Sequence, residues 1–64
     1  MAKYGGMTVG ERLFTAGLLD SWRAAAEARN REEMIAILNR VELFGDRAAT
    51  VADSILADPA KYGF

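Results

Sequence analysis

Apolar residues recur at helical spacing through most of the chain, and charged residues fall between them in three blocks. The first block covers residues 9–29. Placed on a single wheel at about 100° per residue, Arg12, Asp20, Arg23 and Glu27 share one stripe roughly 80° wide. Leu13, Phe14, Leu18, Leu19 and Trp22 spread over most of the remaining circumference, interrupted only by Glu11 and Arg29 at the two ends. A surface helix needs an apolar arc of about 100° to face one core, and this stretch carries about twice that. The pattern therefore predicts one long helix packed on two sides.

Local signals give this helix its start. Thr8-Val9-Gly10-Glu11 matches a capping box, in which the Thr8 hydroxyl and the Glu11 carboxylate each accept from the other residue's amide. Gly17, Ser21 and Ala25 stand four apart, with Ala24 and Ala28 alongside. Read on one helix, they form a row that lets another backbone approach. The plainer reading is close packing on the chain's own helices, the sharper one is a crossing between two copies, and a third is a ligand beside Gly17. Gly17 costs roughly 1 kcal/mol of helix propensity against alanine, so a compensating contact is expected.

Asn30 followed by Glu33 repeats the capping logic, so a second helix is predicted over 31–42. Met34, Ile35, Ile37, Leu38 and Val41 share its inner face; Glu32, Glu33, Asn39 and Arg40 take the outer one. Leu43-Phe44-Gly45 reads as a turn, with Asp46 as the cap of a third helix over 47–57. Ala48, Val51, Ala52, Ile55 and Leu56 make its inner stripe, while Arg47, Thr50, Asp53 and Ser54 face outward. Pro59 ends it, because the residue before a proline is pushed out of helical geometry.

The expected fold is all-α: a compact three-helix domain, one helix long and two short, joined by tight turns. Phe14, Leu18, Leu38, Val51, Ile55 and Leu56 are its expected core. Residues 1–7 read as a flexible lead-in, 8–58 as the domain and 59–64 as a tail whose aromatics rest on apolar surface. Met7 is an alternative start, and the first residues lack the apolar run of a secretory signal.

Composition narrows the chemistry. The chain has 64 residues, no cysteine and no histidine. A domain this small buries only about 60% of its unfolded surface and commonly leans on a disulfide, a metal or a partner. The first is impossible here, and thiolate and imidazole metal sites are excluded as well. The missing cysteines fit a cytoplasmic protein. Without histidine or cysteine the commonest general base and the thiol nucleophile are also gone. Glu32 and Glu33 point about 100° apart on a helix, as solvated first-turn residues do. Ser21 and Ser54 have no base, and Asp46, Asp53 and Asp58 lack the spacing of a calcium loop. The sequence thus points away from an enzyme, with no catalytic, metal or cofactor residues and no evident small-molecule substrate.

Net charge is −1, with eight basic and nine acidic residues well mixed. That gives no electrostatic reach toward nucleic acid or anionic lipid, and no apolar run approaches the ~20 residues of a membrane span. The expectation is a protein-interaction module, either a homodimer or an adaptor or inhibitor docking on a larger protein. The doubly apolar first helix would carry the contact, through Thr15, Leu19 and Trp22 flanked by Arg12 and Arg23. The alternative is a helix-turn-helix DNA-binding regulator. Its reading helix would offer Arg47, Thr50, Asp53 and Ser54, a face with no net charge to draw it toward phosphates.

Overall fold

The computed structural model describes residues 4–64, so residues 1–3 of the expected lead-in lie outside the described residues. Among the described residues there are four α-helices and no strand: α1 (Val9–Thr15), α2 (Leu19–Glu27), α3 (Arg31–Arg40) and α4 (Gly45–Ala57). A 3-10 turn, Pro59–Tyr62, follows Asp58. The all-helical class stands, but the three-helix count does not: the expected first helix is two.

The break lies at Gly17, which takes a φ of +73°. Leu18 N–H donates to Leu13 O at 2.8 Å and Gly17 N–H to Phe14 O at 3.1 Å. These two bonds make a Schellman motif, with glycine at the left-handed position and an apolar residue after it. Leu13 and Leu18, the two residues the motif brings together, are both buried. Gly17 is therefore a helix stop. The row Gly17-Ser21-Ala25 does not lie on one helix, and Ser21 is exposed while Ala25 is buried.

The same device recurs at the next two junctions. Asn30 N–H donates to Ala25 O at 3.0 Å, with Arg29 at φ +56°; Leu43 N–H donates to Leu38 O at 3.0 Å, with Glu42 at φ +66°. Side-chain residues pay strain of about 1–2 kcal/mol for that conformation. Arg29 offsets it by donating its guanidinium to the carbonyls of Ala26 (2.8 Å) and Glu27 (3.2 Å) at the end of α2. Glu42 is exposed and has no such side-chain bond among the described residues. Glu42→Gly should accordingly raise stability by up to about 1 kcal/mol, read as a higher urea midpoint. A lower midpoint would mean that Glu42 is not strained in solution.

Caps at the helix starts divide. Thr8 and Glu11 form the full capping box, at 3.1 Å and 2.9 Å, and the bond from the Thr8 amide holds the Glu11 carboxyl below its ordinary pKa. Asn30 caps α3, accepting from Glu33 N–H at 3.1 Å. Asp46 is no cap. Helix α4 begins earlier, at Gly45, after an extended Phe44 with no side-chain cap bond, and Asp46 sits inside the first turn. Thr8→Ala should cost about 0.5–2 kcal/mol, whereas Asp46→Ala removes only a favourable charge near the helix start. Urea midpoints for the two variants should differ in that order. Equal losses would contradict this assignment of caps.

Helix α3 is central and packs against both α2 and α4. Met34, Ile37 and Leu38 from α3 are buried, with Val41 and Leu43 just beyond its end. Ala48, Ala52 and Ile55 face them from α4, and Leu18, Trp22, Ala25 and Ala26 from the start and body of α2. Val51 and Leu56 sit at the edge of the core, half-buried. Phe14 is outside it, 65% exposed. With the helix broken, α1 sets its own orientation: Arg12 and Leu13 turn inward, and Phe14, one residue on, turns out.

Arg12 is the buried charge among the described residues, 9% exposed. Its guanidinium donates to Val41 O at the end of α3 (3.0 Å) and to Met7 O (3.2 Å), and lies over the ring of buried Tyr4. It joins the segment before α1 to the α3–α4 junction. Arg31 at the start of α3 meets Asp53 of α4 at 2.7 Å. That pair is exposed and screened, so it adds little to stability.

Candidate functional site

A groove of about 510 Å³ opens between the start of α1, one side of α2, one side of α4 and the chain's last residues. Its walls follow from the helix break. Because α2 starts afresh at Leu19, Leu18, Trp22, Ala25 and Ala26 follow the helical period into the core. Leu19 and Arg23, each one residue further round, stand at the groove's edge. Trp22 forms part of the groove wall but is only 6% exposed. On α4, Thr50 and Ser54 are one turn apart on one wall, with Val51 and Ile55 beneath. Gly63 reverses the chain after the 3-10 turn, Phe64 N–H donates to Pro59 O at 2.9 Å, and Arg29 holds Phe64 O at 3.3 Å. This brings Tyr62 and Phe64 to the groove's end. A shallower hollow of about 350 Å³ continues from Val9, Thr50 and Val51 toward Asp46 and Arg47.

The five residues expected to carry a contact are parted by this arrangement. Leu19, Trp22 and Arg23 line the groove; Arg12 and Thr15 do not. Leu19 is exposed, at 44%, and Arg23 is exposed with no hydrogen bond or ion pair among the described residues. Thr15 is exposed at the end of α1, away from the groove lining. Trp22 and Arg12 are not free surface, because both are buried. The argument for a helix apolar on two sides fails with the helix itself: one wheel had summed two helices with different axes.

Sequence reasoning missed the α4 and tail contributions. Thr50 and Ser54 were read as an outward face, and Tyr62 and Phe64 only as a tail resting on apolar surface. The signal for the tail was Gly63 after Pro59, which allows a tight reversal. Nothing in the sequence marked Thr50 and Ser54 as a groove wall.

The lining is chemically simple. Of its twelve residues, Arg23 has the one charged side chain and Thr50 and Ser54 carry the aliphatic hydroxyls; the terminal oxygen of Phe64 is held by Arg29, and no side-chain carboxylate is among them. That is notable in a chain with nine acidic residues. Among the described residues no three His, Cys, Asp or Glu side chains come together to hold a metal ion, and no helix is long and apolar enough to cross a membrane. On the face an α4 reading helix would offer to DNA, Asp53 is already paired with Arg31. Compared with protein-family models, with curated proteins and with solved structures, the chain matches none.

Proposed function

We propose that the protein is a non-catalytic, cytoplasmic interaction module that docks on another protein by receiving the apolar face of a helix in the α1–α2–α4 groove. The observation that carries this reading is an open apolar groove bordered by the exposed side chains of Leu19 and Tyr62. A helix laid between two helices is a common recognition mode, with apolar anchors one turn apart entering the groove. Charge favours a different protein over a second copy. A symmetric dimer sets the same patch against itself, so the facing groove lining would offer Arg23 no side-chain carboxylate to pair with.

The test is a titration of the isotope-labelled protein with an amidated helical peptide carrying a leucine stripe, combined with the protein's mass by sedimentation at tens of micromolar. The expected result is one chain by mass, with peptide-induced shifts concentrated on the amides of Leu19, Thr50 and Ser54 and on the Trp22 indole, and weakened by Leu19→Glu. Shifts absent, or scattered away from the groove, would overturn the proposal. A mass of two chains that falls to one in Leu19→Glu would overturn it in favour of a homodimer.

A further inference from the structure

The groove's charge pattern limits which helix it would receive. Arg23 has its one charged lining side chain, and it is exposed and unpaired among the described residues. Its nearest acids along α2, Asp20 and Glu27, lie three residues before and four after it, and neither is within ion-pair distance. Neither of them lines the groove. Thr50 and Ser54 line the groove from α4, and their hydroxyls both donate and accept. An incoming carboxylate beside an apolar anchor would thus meet a guanidinium from α2 and hydroxyl donors from α4, with no side-chain carboxylate in the lining and the terminal oxygen of Phe64 engaged by Arg29. An incoming lysine would be repelled by Arg23.

We infer that the groove selects an acidic amphipathic helix, one whose leucine-type anchors are flanked by glutamate or aspartate, and that Arg23 is the residue that sets this preference. The inference rests on the docking reading above. Arg23 would contribute discrimination more than affinity, as rim charges do. The apolar floor of Leu13, Trp22, Val51 and Ile55 would hold the anchors.

The chain has one tryptophan, so Trp22 reports on the groove without a label. The experiment follows Trp22 emission and the groove amides while titrating three probes: a leucine-striped helical peptide flanked by glutamates, the same peptide with lysines instead, and dodecanoate. The glutamate peptide should bind about fivefold more tightly than the lysine peptide at low salt, with the gap closing as salt rises. Arg23→Gln should equalise the two peptides and Arg23→Glu should invert their order, with circular dichroism showing both variants still helical. Equal binding of the peptides to the unmodified protein would overturn the acidic preference while leaving groove docking in place. Both peptides failing to perturb the groove would overturn the docking reading itself. Dodecanoate saturating the groove under those conditions would assign it to a small carboxylate amphiphile instead.

Discussion

Trp22→Ala should leave the protein largely unfolded at room temperature. The side chain is 6% exposed and is part of the cluster formed with Leu13, Ala25, Met34 and Ile55. Removing a buried tryptophan costs about 3–5 kcal/mol, because apolar burial is lost and a cavity remains that short helices close only in part. Small domains have little more than that to lose. The measurement is helical circular dichroism with a urea titration, and Trp22→Phe, which keeps a ring in the core, should retain a cooperative transition at a lower midpoint. A Trp22→Ala midpoint equal to that of the unmodified protein would place the indole outside the core.

The second large effect is expected at Arg12. Arg12→Met keeps an unbranched chain of similar reach but removes the donors to Val41 O and Met7 O. The Val41 carbonyl would then lie buried without that partner, and a charged hydrogen bond of this kind is worth about 1.5–3 kcal/mol. The loss should appear as a lower urea midpoint and as faster amide exchange at Leu43, next to the junction that Arg12 ties down. Lysine offers a single ammonium in place of a planar fork, so Arg12→Lys should recover only part of the loss. An unchanged midpoint in Arg12→Met would show that the guanidinium is solvated instead of holding the junction.

The two expectations concern residues that sequence periodicity had assigned to a contact surface, and the reason lies in the chain between them. Periodicity locates α3 and α4 well: Met34, Ile37, Leu38, Ala48, Ala52 and Ile55 are all buried as their spacing requires. The capping box at Thr8 and the cap at Asn30 were legible because each depends on residues three apart. A helix stop at Gly17 was harder to see. Thr15-Ala16-Gly17-Leu18 holds no proline and no polar cap, and apolar residues continue on both sides. The legible trace was Leu13 and Leu18 placed about Gly17, the apolar pair of a Schellman motif. Once that stop was missed, a wheel drawn through residues 9–29 put Phe14 inside, Arg12 outside and Trp22 on a second apolar face. The groove escaped for a related reason, since it is built from α1, α2, α4 and the tail, which no local pattern brings together.

Gly17→Ala is the variant on which the broken helix, and with it the core and the groove, stands most directly. A β-carbon at position 17 would meet no atom within 4 Å, so crowding plays no part. What remains is the backbone, held at φ +73°. There alanine is strained by about 1–2 kcal/mol, whereas in the interior of a continuous helix the same substitution would stabilise by roughly 1 kcal/mol. The two structures thus differ in the sign of one number. The urea midpoint of Gly17→Ala should fall below that of the unmodified protein. A midpoint that rises would mean the helix runs unbroken from α1 into α2, and the groove described above would not exist.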